Sequence, residues 1–149
     1  MSTFHDVKFL PLKNYEKFEN LCLEMWQKKI PTVQKNGRKG QKQDGVDIFG
    51  FIEDNNDLHW IGIQCKVKAA GSTLTKREVE EEIEKAKSFS PELAEYIIIT
   101  TSSRDARLQK YVREMNEKFI KKELFQIRIF FWDDIELLLG EEINLSFAP

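Results

Sequence analysis

The sequence predicts an α/β fold, in which helices cover both faces of a mixed central β-sheet. Segments with helical apolar spacing alternate with short apolar runs, which is typical of strands joined by helical crossovers and predicts a partly parallel sheet. One pair of runs is instead separated by a short polar turn, which predicts a β-hairpin and therefore an antiparallel portion. The 149 residues fit a single domain over positions 1–149.

The first part of the chain predicts a helix, a loop and the hairpin. Apolar side chains recur at helical spacing over residues 14–28. The polar, basic and glycine-bearing residues 34–45 are typical of a loop. Residues 46–52 and 58–67 have the character of strands, and the polar residues 53–57 form the turn between them.

A capping box marks the start of the second helix. Thr75 is placed as the N-cap and Glu78 follows three residues later, ahead of an apolar stripe. The acidic residues of this helix are expected at its N-terminus and on its solvated side; they are Glu78, Glu80, Glu81, Glu82 and Glu84. The alternative for Glu78 is a supporting position behind the polar side chains of the hairpin.

The rest of the chain predicts two strands and two helices. Residues 96–99 form a continuous apolar run, as expected for a strand that is covered on both faces. A helical stripe begins near Ser103, and residues 125–131 have strand character. Asp133 and Glu136 indicate a capped final helix, which Gly140 is expected to close.

The composition is that of a folded protein. Hydrophobic residues make up 41% of the chain and charged residues 32%, unlike a disordered segment. The net charge of −2 leaves nucleic-acid binding open, because a near-neutral total can hide a basic patch. No apolar run reaches the roughly 20 residues of a membrane span, and the N-terminus lacks a signal-peptide core. We therefore expect no membrane partner and a cytoplasmic location. We also expect reduced thiols at Cys22 and Cys65, with a disulfide between them as the alternative.

Polar side chains of the hairpin carry the predicted chemistry. Because successive side chains of a strand alternate between faces, Gln64 and Lys66 stand roughly 7 Å apart on the same face. Asp47 lies at the start of the other strand beside aromatic residues, where an unpaired carboxylate is costly. If the register aligns the start of the first strand with the end of the second, Asp47 meets Gln64 and Lys66.

This group fits a Mg²⁺ site that hydrolyses phosphodiesters. Mg²⁺ prefers oxygen ligands and keeps several waters, so Asp47 and Gln64 can hold it. The metal stabilises charge on a phosphodiester and lowers the pKa of a bound water, and Lys66 can orient or deprotonate that water. Glu19, at the edge of the apolar stripe of the first helix, is expected to face the metal or its waters.

A basic segment leads into Asp47. No acidic residue occurs between Glu24 and Asp44. Cations at the mouth of a metal site attract a phosphate backbone, and glutamines can bond to phosphates or base edges. The residues of this segment that we expect to contact DNA are Lys35, Arg38, Lys39, Gln41, Lys42 and Gln43.

The same segments resemble the PD-(D/E)XK nuclease superfamily and, within it, the Mrr-like restriction endonucleases. Phe-Glu-Asn-Leu at residues 18–21 resembles the opening helix motif of the family. Gly-Val-Asp-Ile at residues 45–48 and Gln-Cys-Lys at residues 64–66 resemble its two catalytic strand motifs, in the same order. Residues 37–48 and 130–136 also resemble nuclease domains at the N-termini of bacterial anti-phage effectors.

The resemblance implies a restriction-endonuclease-like three-layer sandwich. It also implies cleavage of double-stranded DNA with Mg²⁺, for which Mn²⁺ can substitute, in restriction or anti-phage defence. Many superfamily members have Asp or Glu at the position of Gln64. Mrr-like members have glutamine there, so activity is still implied, and Glu19 gains importance because a neutral ligand binds metal more weakly.

The sequence leaves several alternatives open. A non-catalytic DNA-binding module on the same fold and an RNA-directed nuclease are the alternative functions. The oligomeric state is also open, with a homodimer or a larger assembly as the alternatives to a monomer. Fusion to a sensor or nucleotide-binding region is a further alternative.

Overall fold

The structure is a computed structural model that describes residues 10–146, and the side chains of residues 10–141. Residues 1–9, which carry the expectation about export, lie outside the described residues. Among the described residues, no helix combines the length and apolar character needed to cross a bilayer. The elements, in chain order, are α1 (Tyr15–Gln27), β1 (Gln34–Lys35), β2 (Ile48–Asp54), β3 (Asp57–Lys66), α2 (Lys76–Ala86), β4 (Leu93–Thr100), α3 (Ala106–Lys121), β5 (Gln126–Phe130) and α4 (Trp132–Ser146).

Within residues 10–146, the strands form one mixed sheet in the order β1-β2-β3-β4-β5. The pairs β1–β2 and β2–β3 are antiparallel. The pairs β3–β4 and β4–β5 are parallel, and α2 and α3 make the crossovers between their strands. The predicted α/β fold with a mixed sheet is therefore confirmed.

Apolar clusters on the two faces of the sheet make this a three-layer sandwich. On one face α1 and α4 pack against the sheet, and Phe18 and Ile63 belong to that cluster. On the other face α2 and α3 do so, with Val79 in their cluster. The continuous apolar run of β4 contributes to both, since Ile97 lies in the first cluster and Ile98 in the second.

The prediction of a loop over residues 34–45 is wrong at its first two residues. Gln34 and Lys35 form the short edge strand β1, which pairs with Phe49 and Ile48 of β2. A strand of two residues has no periodicity of its own. It exists because the backbone of β2 presents hydrogen-bonding groups to it, which is a tertiary effect.

The predicted end of the last helix is also wrong. Helix α4 continues through Gly140, a buried position, to Ser146. A glycine inside a helix costs about 1 kcal/mol relative to alanine, which packing can offset. At the other end, Asp134 accepts a hydrogen bond from the Phe131 N–H at 2.9 Å, whereas Asp133 accepts one from the Arg104 N–H at 2.7 Å. Asp134, rather than Asp133, therefore caps this helix.

Candidate active site

The hairpin brings Asp47 and Gln64 together at its open end. Ile48 pairs with Ile63 and Phe49 with Gly62 in the antiparallel ladder, so the start of β2 meets the end of β3, and Asp47 and Gln64 are the next residues beyond the last pair. The Asp47 N–H donates to the Ile63 carbonyl at 2.8 Å, so Asp47 departs from the regular register beside the Ile48–Ile63 pair. The structure thus brings these two predicted site residues together at the open end of the hairpin.

The Asp47 carboxylate is buried, and the residue is only 3% exposed. Its Oδ2 accepts a hydrogen bond from the Cys65 backbone N–H at 2.9 Å, and the Tyr15 hydroxyl donates to the carboxylate as well. Burial raises the pKa of Asp47, and the negative charges of Glu19 and Glu82 add to this effect. The hydrogen bonds from Tyr15 and Cys65 oppose it by stabilising the charged form.

Tyr15 is a site residue that sequence reasoning did not identify as functional. Burial and the hydrogen bond to Asp47 raise the pKa of its hydroxyl, so the group remains a proton donor to the carboxylate. A tyrosine in the first turn of a helix carries no signal of such a role in its sequence. Its contact with Asp47 depends on how α1 packs over the hairpin.

The Gln64 amide lies against two oxygen atoms. With its nitrogen facing them, it donates to the Gly45 carbonyl at 2.8 Å and to Asp47 Oδ2 at 3.3 Å. Turned the other way, the amide oxygen would join these two acceptors, and three oxygens in contact are favourable only with a cation among them. Rotation of one side chain therefore interconverts a hydrogen-bonded site and an oxygen-lined cation site.

Lys66 forms an ion pair with Glu82, which is predicted above to lie on the solvated side of its helix. Its Nζ lies 2.8 Å from Glu82 Oε1, and the Glu82 side chain is only 5% exposed. The expectation of a solvated Glu82 is therefore wrong. The signal was present, because Glu82 follows Val79 by three residues and precedes Ile83 by one, so it lies on the buried face of α2.

Glu19 extends from α1 on the other side of Asp47, as its place at the edge of the apolar stripe predicts. Its side chain is 15% exposed, and its Oε1 lies 3.5 Å from Lys35 Nζ, which also donates to the Asn20 side chain. Lys35 therefore ties β1 to α1 in this structure. Its predicted contact with DNA requires this pair to open or to share the lysine with a phosphate.

The segment between β1 and Asp47 has an internal hydrogen-bond framework. Gln43 donates to the Asn36 carbonyl at 2.7 Å, and the Asn36 amide donates to the Gln43 and Val46 carbonyls at 3.2 and 2.8 Å. The Gln41 amide oxygen accepts from the Arg38 N–H at 2.9 Å. Both glutamines predicted to contact DNA thus already shape the loop.

The cations of this loop are its most accessible predicted DNA contacts. Arg38, Lys39 and Lys42 are exposed. Lys42 lies 3.7 Å from Asp44, but its side chain is 87% exposed, so this pair is screened by water. These side chains can reach a polyanion without any change in the fold.

Two cavities flank the buried carboxylate, and the basic loop borders both. The α2-side cavity has a volume of about 550 Å³, and its lining includes Gln41, Lys42, Gln64, Lys66, Glu82 and Lys85. The α1-side cavity has a volume of about 580 Å³, and its lining includes Tyr15, Glu19, Lys35, Arg38, Lys39 and Gln43. The structure therefore places Gln64 and Lys66 in one opening and Glu19 in the other, while Asp47 itself lines neither.

A divalent cation would depend on oxygen ligands of mixed type. Among the described residues, no three His, Cys, Asp or Glu side chains lie together as a metal-binding group. The oxygens that do meet are those of Asp47, Gly45 and, after rotation, the Gln64 amide. This set fits Mg²⁺, which accepts one or two carboxylates with carbonyl oxygens and retains several waters.

Solved structures similar to this chain are restriction endonucleases. The DNA modification-dependent restriction endonuclease AspBHI has 17% identity and a TM-score of 0.56, over 85% of this chain and 31% of its own. The MspJI restriction endonuclease in complex with a 27-mer oligonucleotide has 13% identity and a TM-score of 0.56, over 87% of this chain and 28% of its own. No protein-family model and no curated protein matches the chain.

These likenesses establish the fold. The chain has a restriction-endonuclease-like nuclease fold, as its sequence motifs implied. It spans about a third of the length of these proteins, at 31% and 28%.

Proposed function

We propose that this domain is a Mg²⁺-dependent endonuclease that hydrolyses phosphodiester bonds of double-stranded DNA. The observation that carries the proposal is the contact between the Asp47 carboxylate and the Gln64 amide at the open end of the hairpin, with Lys66 next on the face of Gln64. A carboxylate, an amide and an ammonium group at one strand end, inside a nuclease fold, are the parts that this chemistry requires.

Asp47 and Gln64 would hold the metal, with the Gly45 carbonyl as a further oxygen and Glu19 bonding to metal-bound water. Bound there, Mg²⁺ or Mn²⁺ would supply charge stabilisation for the phosphodiester and a more acidic water. Lys66 donates hydrogen bonds from its ammonium group to the attacking water or to a phosphate oxygen, which orients them and balances developing negative charge.

The basic loop is proposed to carry the DNA backbone to this centre. Arg38, Lys39 and Lys42 are exposed cations that can neutralise phosphates. Lys35, Gln41 and Gln43 would add contacts from the base of the loop. The likeness to MspJI, whose structure is a complex with an oligonucleotide, supports DNA as the ligand.

The biological setting is part of the same proposal. The resemblance of the motifs to anti-phage effectors and restriction enzymes supports a defence role against foreign DNA. The free thiols of Cys22 and Cys65 fit the reducing environment of the cytoplasm. Cutting both strands takes two active sites, which a homodimer or a fusion to an assembling region would provide.

Plasmid cleavage tests the catalytic assignment. Asp47→Ala and Lys66→Ala should each lower the rate in Mg²⁺ by about 10²- to 10⁴-fold, since each removes a group that acts on the reacting atoms. EDTA should stop cleavage by the unaltered protein. Lys68→Ala is the matched control, because Lys68 lies two residues further along and pairs with Glu78 at 2.9 Å. Full activity of either site variant would refute the assignment.

One observation favours a second function, a DNA-binding module without catalysis. Asp47 is buried with its carboxylate already hydrogen-bonded by Tyr15 and by the Cys65 N–H, as a purely structural aspartate would be. Affinity for DNA in Ca²⁺ and cleavage in Mg²⁺ separate the two functions. If the unaltered protein with bound metal binds DNA tightly and does not cleave it, the DNA-binding module is supported. Cleavage of RNA in preference to DNA supports the RNA-directed nuclease.

A further inference from the structure

Glu82 is a buried acid that pairs with two lysines. Glutamates are rarely buried unless they are paired, and this side chain is 5% exposed. Its Oε1 lies 2.8 Å from Lys66 Nζ and 3.5 Å from Lys85 Nζ. Lys66 is the more buried of the two lysines, with 26% of its side chain exposed against 60% for Lys85, so the pair with Lys66 is the less screened one.

The helix that carries Glu82 is fixed against the candidate centre. A Cβ at Gly45 would lie 3.0 Å from the Glu82 carbonyl oxygen and 2.9 Å from the Lys85 Cβ, so α2 abuts the turn just before Asp47. The capping box of Thr75 and Glu78 fixes the start of the same helix. The part of α2 that carries Glu82 therefore packs directly against the turn that leads to Asp47.

We propose that Glu82 is a positioning residue of this site, whose carboxylate holds the Lys66 ammonium in the α2-side cavity that Gln64 also lines. The inference rests on the nuclease function proposed above. A lysine side chain has four rotatable bonds, and the ion pair selects one placement among its rotamers. Because the group that reacts must be placed accurately, this restraint favours catalysis.

The same carboxylate has an opposite effect on DNA binding. Its negative charge in the cavity repels phosphate and offsets the attraction of Lys66 for it. Replacing Glu82 with the isosteric glutamine removes the charge and keeps a hydrogen-bond acceptor. Cleavage should then slow while DNA binds more tightly, and a general loss of structure cannot produce that combination.

The test compares Glu82→Gln with Glu78→Gln, which breaks the corresponding pair with Lys68 one turn earlier on α2. For Glu82→Gln we expect kcat for plasmid cleavage to fall about 10- to 100-fold. The Kd for duplex DNA in Ca²⁺ should fall about 2- to 10-fold. Glu78→Gln should change neither value by as much, and Glu82→Asp should recover part of the kcat because it restores the charge.

The outcomes distinguish this inference from the proposed function. If Glu82→Gln has the kcat of the unaltered protein, Glu82 does not position Lys66. If the variant loses cleavage, DNA affinity and thermal stability together, Glu82 has only a structural role. Both outcomes overturn the role proposed for Glu82 and leave the proposed nuclease function standing. An inactive unaltered protein would refute the nuclease instead. In that case labelling with an amine-reactive reagent still tests the restraint: Glu82→Gln should increase labelling of Lys66, and unchanged labelling contradicts it.

Discussion

At the residue scale, the surroundings of Asp47 act on the pKa of its carboxyl group in opposite directions. Burial raises its pKa, and the charges of Glu19 and Glu82 act in the same direction, while hydrogen bonds from Tyr15 and Cys65 oppose them. A carboxylate kept in such a place is destabilising in its charged form, as is common for groups retained for function. A cation bound at Asp47 and Gln64 would reverse this balance by stabilising the charged form.

This balance predicts a pH-dependent gain in stability for Asp47→Asn without metal. The pKa of Asp47 is higher in the folded protein than in the unfolded chain, so the unfolded chain binds fewer protons at intermediate pH. The free energy of unfolding therefore falls as the pH rises through the folded pKa of Asp47. Asp47→Asn should therefore have the higher free energy of unfolding at pH 7 in EDTA, and its advantage should shrink as the pH falls toward the ordinary aspartate range.

Urea denaturation across this pH range, with Asp57→Asn as the control, measures the effect. Asp57 is an exposed aspartate at the start of β3, so the same substitution there removes a charge without relieving burial. A variant Asp47→Asn that is less stable than the unaltered protein at pH 7 would mean that the hydrogen bonds to the charged form outweigh burial.

At the element scale, the approach of α2 to the turn before β2 decides where Lys66 and Glu82 meet. Gly45 makes this approach possible, since it has a φ of +73° and its missing side chain leaves room for the α2 backbone. Local sequence identifies the helix through its capping box and identifies the strand through its apolar pattern. Neither signal states how closely the two elements pack.

Gly45→Ala should therefore destabilise the fold and disturb the site together. The positive φ costs about 1–2 kcal/mol for a residue with a Cβ, and contact with α2 should add about 1–3 kcal/mol. Gly40→Ala is the control, because Gly40 has a φ of +91° with nothing within 4 Å of an added Cβ. Thermal unfolding and plasmid cleavage should show the larger loss for Gly45→Ala; equal losses would mean that the helix moves freely to accommodate the methyl group.

At the scale of the whole molecule, a net charge of −2 coexists with a basic loop beside the candidate centre. The exposed cations Arg38, Lys39 and Lys42 adjoin the two cavities that flank Asp47. Such an arrangement attracts a polyanion to one side of a molecule that is overall slightly acidic. Affinity for DNA should accordingly depend on these few side chains.

Replacing Arg38, Lys39 and Lys42 together with alanine should weaken binding to duplex DNA in Ca²⁺. It should also reduce the slope of log K against log salt by about 1 for each phosphate that the protein no longer neutralises. The control is a triple alanine variant of Lys118 and Lys121 in the last turn of α3 and of its C-cap Lys122. This end of α3 leads into the start of β5, at the far end of the parallel strands from Lys66. Equal effects of both variants would show that binding is not localised at the loop.

The sequence by itself determined the elements and their class. The alternation of helical and apolar segments, the capping box at Thr75 and the run at residues 96–99 are local signals, and the structure bears them out. Strand alternation likewise placed Gln64 and Lys66 on one face, because side-chain direction follows from backbone geometry alone. The meeting of Asp47 with Gln64 required one assumption about register, which the ladder confirms.

The tertiary structure decided the features that depend on distant parts of the chain. The edge strand β1, the hydroxyl of Tyr15 on Asp47 and the pairing of Lys66 with Glu82 all join segments separated by many residues. The burial of Glu82 was visible in its spacing, but its partner was not. Such contacts arise from how elements pack, and packing is set by the whole core rather than by any local window of sequence.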